Sequence, residues 1–179
     1  MTSVLLVDTI KNSLDSADTI AFPGGINAPG GINAPGSVIQ VKHTTYGTTT
    51  NTSSTSYVDL CNIVITPKSA GSSFFLLANF SWSGKGVLNL FRNSTQLHSH
   101  STDPYVMWGM NQGSAWNSNS LRALITVTAY NSPTYTLGNS VTYHVKYRAR
   151  SASGDNSAGI NEQTSGSTIS NFTVMEIAQ

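Results

Sequence analysis

Apolar and polar residues alternate along most of the chain after residue 37, with the period of two that is typical of half-buried β-strands. The clearest case is residues 140–150, where Val141, Tyr143 and Val145 fall on one side and His144 and Lys146 on the other. No stretch after residue 20 has a helical period. The pattern predicts an all-β sandwich, with strands over residues 38–43, 57–66, 74–80, 87–92, 121–130, 140–150 and 167–177.

Two of these strands carry a prediction about their faces. Residues 74–80 are almost all apolar, which is typical of a strand buried on both faces. In the first strand, Ile39, Val41 and His43 form the more apolar of the two sides, and we expect that side to face the core.

A perfect direct repeat precedes the predicted sandwich. Residues 24–35 read Gly-Gly-Ile-Asn-Ala-Pro twice, so each unit holds one Ile (Ile26, Ile32) and one Pro (Pro29, Pro35). Proline disfavours helix at the residue before it. The segment is either a flexible linker or a short stalk in which side-by-side chains place these residues on a shared axis. The β domain that follows favours the stalk, with Ile26, Ile32, Pro29 and Pro35 as trimer contacts.

The first 23 residues hold two short apolar clusters, residues 4–10 and 19–22, separated by a polar stretch. They are predicted to be two short strands or arms. A short helix through Ile10 and Leu14 is the competing prediction, since those residues are spaced to share a helical face. Neither piece is large enough to fold alone, so we expect this segment to bind another protein chain.

Composition narrows the function classes. Of 179 residues, 39% are hydrophobic and only 9% charged, and the net charge is +1. A neutral surface rich in Ser, Thr and Asn favours an extracellular or virion-surface protein. It argues against nucleic-acid binding, which needs a basic patch. We recognise no signal peptide and no run long enough to span a membrane. The single cysteine, Cys61, is expected to be a buried thiol.

One short motif suggests a metal. On a strand, His98 and His100 would point the same way, as two imidazole ligands must, and Asp103 follows three residues later. Such a motif is short and common. We therefore favour a pair of exposed histidines beside a hairpin tip, and we predict no bound metal and no cofactor.

The richest aromatic segment runs from Tyr105 to Trp116. It combines Tyr105, Trp108 and Trp116 with the amides of Asn111 and Gln112. Aromatic faces beside amides are suited to binding sugars, so this segment is a candidate receptor loop for host glycan. The competing interpretation, which we favour, is that the Trp rings fill the sandwich end or a subunit interface.

No catalytic set is recognisable. Serines are plentiful but none lies in a nucleophile-elbow context. Of the scattered acidic residues, Asp59 and Glu176 lie on predicted strands, and we expect Glu176 to be paired or edge-exposed rather than catalytic. We predict that the protein is not an enzyme.

Several segments together resemble a family of bacteriophage virion proteins, abundant in phages of aquatic bacteria and cyanobacteria. The opening residues 4–12 are also similar to the N-terminal segment of phage fibre proteins. The resemblance rests on residues 37–41, 54–59, 65–67, 72–73, 87–93, 142–148 and 172–178. It implies a trimeric jelly-roll head, similar to the C1q/TNF type, mounted on a fibre or attachment stem.

The expected organisation has three parts: a virion-attachment segment over 1–23, a stalk over 24–36 and a jelly-roll head over 37–179. The leading hypothesis is a homotrimeric tail or baseplate fibre, made in the host cytoplasm, that binds other virion proteins through residues 1–23 and presents its head to the host surface. The alternative is a capsid head fibre or decoration protein. A glycan-degrading enzyme is the third hypothesis.

Overall fold

The computed structural model describes residues 35–84, 86–97, 122–149, 158–161 and 169–179, with the side chains of 83–84 and 122–123 left undescribed. All of these residues belong to the C-terminal of the chain's two units, Ile32–Gln179. The described part consists of strands and connections without a helix. The strands are β1 (Val38–Tyr46), β2 (Thr50–Thr52), β3 (Val58–Ile65), β4 (Ser73–Gly84), β5 (Gly86–Arg92), β6 (Thr95–Gln96), β7 (Arg122–Asn131), β8 (Val141–Ala149), β9 (Ala158–Ile160) and β10 (Ser170–Ile177).

The strands form two antiparallel sheets. In sheet A, β4 is flanked by β7 on one side and by β10 on the other, and β1 pairs with the far side of β10. β9 pairs with the last residues of β4, and β2 pairs with β9. In sheet B the order is β3, β8, β5, β6. The predicted all-β sandwich is thus confirmed.

The hydrophobic core lies between the two sheets. It is filled by alternate residues of every long strand except β1, because side chains of a strand point to opposite faces in turn. In β8 the burial follows the predicted alternation, with Tyr143, Val145 and Tyr147 buried. The largest core side chains include Phe74, Phe80, Phe172, Tyr143 and Tyr147.

The step from β4 to β5 carries the chain from sheet A to sheet B almost without a loop. Gly86 begins β5 where the backbones approach closely. A Cβ at this position would collide with the carbonyl oxygen of Arg148 and the side chain of Ala158. Only glycine fits without a shift of the neighbouring strands.

The predicted core face of β1 was wrong. Val41 is 54% exposed, and His43 is exposed beside it. β1 is an edge strand with an irregular register between Val38 and Gln40, so the residues beyond this bulge fall on the opposite face. From there on Gln40, Lys42, Thr44 and Tyr46 alternate with the outward-facing residues. Of these four inner residues, Tyr46 packs against the core.

Each long predicted strand is present, with ends shifted by a few residues. The sequence did not reveal the short strands β2, β6 and β9. β2 lies in the Thr- and Ser-rich stretch between the first two predicted strands. Two- and three-residue strands have too few positions to show an alternation, and pairing with a neighbouring strand defines them instead.

Candidate interaction surface

The outer face of sheet A turns away from the core. Its register comes from the strand pairing, which aligns one residue from each of β1, β10, β4 and β7 in successive rows. Among the described side chains of this face there is no Asp, Glu, Lys or Arg. The face is formed by Val41, His43, Thr45, Asn171, Thr173, Met175, Ile177, Phe75, Leu77, Asn79, Leu124, Thr126, Thr128 and Tyr130.

One row across this face is entirely apolar or aromatic. Val41 pairs with Met175, Met175 with Phe75, and Phe75 with Tyr130; we call these four residues the apolar row. Tyr130 is 60% exposed, Val41 is more than half exposed, and Phe75 and Met175 are half-buried. β4 was predicted to be buried on both faces, but in a single chain only the inner one is fully covered.

The next two rows of the same face are polar except for Leu77, and several of their side chains bond to one another. The His43 Nδ1 lies 2.9 Å from the Thr173 hydroxyl. The Asn79 amide donates to Asn171 Oδ1 at 3.2 Å, while the Thr126 hydroxyl donates to Asn79 Oδ1 at 2.6 Å. Bonds between neighbouring strands stabilise the sheet. They also give these polar side chains partners within the sheet.

The outer face of sheet B has the opposite character. The Asp59 carboxylate lies 3.0 Å from His144 Nδ1 and 3.2 Å from Lys146 Nζ. Lys146 also lies over the Phe91 ring, 5.2 Å from its centroid. Arg148 lies over Tyr57 at 5.3 Å. We call Asp59, His144 and Lys146 the charged cluster; its charges are already paired within the chain.

Glu176 is the one fully buried carboxylate among the described residues. Its oxygens accept hydrogen bonds from the backbone N–H groups of Lys68 and Ser69, at 2.9–3.1 Å, and from the Gln40 amide. Because these donors occupy the carboxylate, Glu176 fastens the β3–β4 connection to sheet A. Of the two environments expected for Glu176, paired or edge-exposed, the structure shows the paired one.

Two acids that face the interior have raised pKa values. Burial raises the pKa of the Cys61 thiol to about 12, with a smaller contribution from the charge of Asp59. Burial also raises the pKa of Tyr143, although the nearby charge of Arg92 acts in the opposite direction. Both groups stay protonated at neutral pH and behave as part of the core.

The chain enters and leaves the sandwich at the same end. The backbone N–H of Gly36 donates to the Ala178 carbonyl at 2.8 Å, and the N–H of Ala178 donates to the Ser37 carbonyl at 2.9 Å. These bonds extend the pairing of β1 with β10 to Gly36, which directly follows the last residue of the repeat, the exposed Pro35. Gly36 has a φ of +83°, a conformation that favours glycine.

The other predicted site residues lie outside the described residues. This applies to the stalk contacts Ile26, Pro29 and Ile32 and to the metal candidates His98, His100 and Asp103. It applies equally to the receptor-loop residues Tyr105, Trp108, Asn111, Gln112 and Trp116. Within the described ranges, no group of three or more His, Cys, Asp or Glu side chains is arranged to hold a metal. Nor does that part of the chain contain a helix suited to crossing a membrane.

No protein-family model and no curated protein matches this chain. The interpretation of function therefore depends on the sequence pattern and on the geometry of the two outer faces and of the junction at Gly36. Sequence reasoning did not identify the apolar row. Its signal was present in Phe75 and Leu77, which interrupt the alternation expected of a strand with one solvated face.

Proposed function

We propose that the protein is a structural protein of a bacteriophage virion, a small homotrimeric tail or baseplate fibre whose head meets the host surface. The resemblance of residues 37–41, 87–93 and 142–148 to phage virion proteins supports this assignment. The low charge content of the chain supports an exposed, structural role.

The hydrogen bonds of Gly36 and Ser37, where the repeat meets the first strand, give this proposal its main structural support. The exact repeat ends at Pro35, and the next two residues are hydrogen-bonded to Ala178. A head whose first residues after the repeat are hydrogen-bonded to its own last strand is suited to being held by its N-terminal segment. The opposite end of the sandwich is then the one presented outward.

The connections between strands support a jelly-roll head. From β3 to β4 to β5, and again from β6 to β7 to β8, the chain changes sheet at nearly every step. Alternation between two antiparallel sheets is the usual arrangement of jelly rolls, which occur widely in viral capsid proteins. The described strands thus fit the architecture that the resemblance implies.

Subunit number is the first test. Light scattering on the purified protein at micromolar concentration should give the mass of three chains. A monomer under these conditions would end the trimer hypothesis and, with it, the role of the repeat as a stalk.

Location on the particle is the second test, and it separates the leading hypothesis from its alternative, a capsid head fibre or decoration protein. Cryo-electron microscopy of labelled virions should place the protein at the tail or baseplate. Label on the capsid shell would favour the alternative. Release of sugar from host envelope by the purified protein would favour the third hypothesis, a glycan-degrading enzyme.

A further inference from the structure

We propose that the head resists tension: a pull between the N-terminal repeat and the opposite end of the sandwich loads the pairing of β1 with β10 in shear. The inference rests on the proposed function, in which the head is held by the residues before Gly36 and meets the host at its other end. It gives the first strand a mechanical role.

A pull from the repeat enters the sandwich at Gly36 and passes directly into β1. β1 pairs with β10 along its whole length, and two further backbone bonds to Ala178 extend this pairing to the point of entry. Because the two strands are antiparallel, Ser170 at the start of β10 lies beside Tyr46, at the end of the sandwich opposite Gly36. We call this the outer end. The ladder of hydrogen bonds therefore spans the distance between the two ends.

The direction of the pull decides how this ladder responds. Hydrogen bonds of an antiparallel pair lie perpendicular to the strands. A pull along the strands, with β1 drawn towards the repeat and β10 towards the outer end, strains all of these bonds at once. A pull that separates Gly36 from Ala178 opens them one after another instead. Tension between the repeat and the outer end acts in the first way, so several bonds must break in one step.

β1 depends on this ladder because it contributes little to the hydrophobic core. Tyr46 packs against the core, with its ring centroid 6.3 Å from that of Phe80, whereas the inner residue Lys42 is exposed. β10 is anchored more firmly: Phe172 and Val174 are buried in the core, and its other edge pairs with β4. The pull therefore passes from an edge strand into the centre of sheet A through hydrogen bonds.

Side chains fasten β1 near both of its ends. Near the point of entry, the Gln40 amide donates to Glu176 of β10 and, at 2.8 Å, to the Thr66 carbonyl. At the outer end, the buried Asn161 donates from Nδ2 to the Tyr46 carbonyl at 2.8 Å. Strands begin to detach by fraying at their ends. These bonds oppose that first step.

The test pulls the same strand in two directions. In a Cys61→Ala background, thiols for the force handles are placed at exposed positions: Pro35→Cys with Ile169→Cys for shear, and Pro35→Cys with Gln179→Cys for opening from one end. Each labelled chain is mixed with an excess of unlabelled full-length chain, so that an assembly carries one labelled copy. At equal force in optical tweezers, the folded head should last at least about tenfold longer with the first pair, because several backbone hydrogen bonds break in one step.

Two variants separate the ladder from general stability. Gln40→Ala removes the bonds to Glu176 and Thr66 and should shorten the lifetime in shear at least about threefold. Asp59→Ala removes a paired carboxylate on the outer face of sheet B, off this ladder, and should leave that lifetime unchanged. Thermal melting establishes that both variants are folded. The comparison of the two handle pairs in the wild-type strand depends on neither variant.

Virions test whether the head meets such tension in use. Particles with Gln40→Ala should adsorb to host cells like wild-type particles in still medium. Under flow they should detach at least about threefold sooner, because forced unfolding is governed by the unfolding rate. Particles with Asp59→Ala should detach like the wild type.

Equal lifetimes for the two handle pairs, or a shorter lifetime in shear, would overturn the inference and leave the proposed function standing if the protein is a trimer located at the tail. Equal detachment of Gln40→Ala and wild-type particles under flow would overturn the mechanical role. A location on the capsid shell would overturn the proposed function and this role with it.

Discussion

The two outer faces of the sandwich differ in the side chains that they expose. On sheet B, the strand β8 turns His144, Lys146 and Arg148 outward, and their charges are paired or stacked within the chain. On sheet A, the outward side of β4 carries Phe75 and Leu77, which are half-buried. The charged groups of one face are paired or stacked within the chain, whereas the other face carries a row of apolar and aromatic side chains. An alternating pattern with charges therefore indicates a solvated face. An alternating pattern without them indicates a face suited to contact with another protein chain.

We predict the largest effect on the free energy of unfolding for a carboxylate inside the sandwich, and we compare it with a carboxylate outside. Glu176→Ala removes the acceptor of the Lys68 and Ser69 backbone N–H groups at a fully buried position. We expect a loss of about 3 kcal/mol in the free energy of unfolding, measured by urea denaturation. Asp59→Ala, on the outer face of sheet B, should cost less than about 1 kcal/mol. Equal losses would show that Glu176 does not fasten the β3–β4 connection as described.

A second prediction concerns groups that face the core. In the unfolded chain Cys61 and Tyr143 lose their protons at ordinary pKa values, whereas the folded chain retains them because both pKa values are raised. Their contribution to stability is therefore complete below about pH 9 and is lost as the pH rises from there towards 12, by up to about 1.4 kcal/mol per pH unit for each proton.

The alkaline effect is checked by urea midpoints between pH 8 and pH 11. The slope of stability against pH should be smaller in Cys61→Ala than in the wild type, whatever packing the substitution itself removes. An identical slope in both proteins would contradict the raised pKa of Cys61.

The smallest predicted effect concerns how interactions on the two outer faces depend on salt concentration. A double-mutant cycle with Asp59→Asn and Lys146→Met should give a coupling of about 0.2–1 kcal/mol at low ionic strength, which falls as salt is added. Self-association of the proposed homotrimer through apolar contacts should not weaken in the same range. An assembly that dissociates as salt rises would indicate that charged residues, and not the apolar row, hold the copies together.

The long strands were predictable because burial of one face gives their sequences a period of two. Tyr143, Val145 and Tyr147 show it most plainly, and the predicted sides of β7 and β8 match the observed burial. The face of β1 was not predictable, because a bulge near Ile39 reverses the pattern at an edge strand. Local sequence does not reveal a bulge that arises from pairing with β10.

The sequence predicted the candidate interaction surface only in part. The apolar run at Phe74–Leu77 predicted burial on both faces, whereas in the single chain only the inner face is fully covered. The row itself joins Val41, Met175, Phe75 and Tyr130, which are far apart in sequence and meet only through the strand order of sheet A. Such a row becomes visible only when the register of four strands is known.

The most direct test of the account measures how far the two outer faces are covered in the assembled protein. In a Cys61→Ala background, Val41→Cys and Val64→Cys place a thiol at positions that are equally exposed in a single chain. We expect maleimide to label the thiol at position 64 at least about ten times faster than the thiol at position 41, because the proposed homotrimer would cover the face that bears the apolar row. Equal labelling rates in a protein that is trimeric would contradict this expectation.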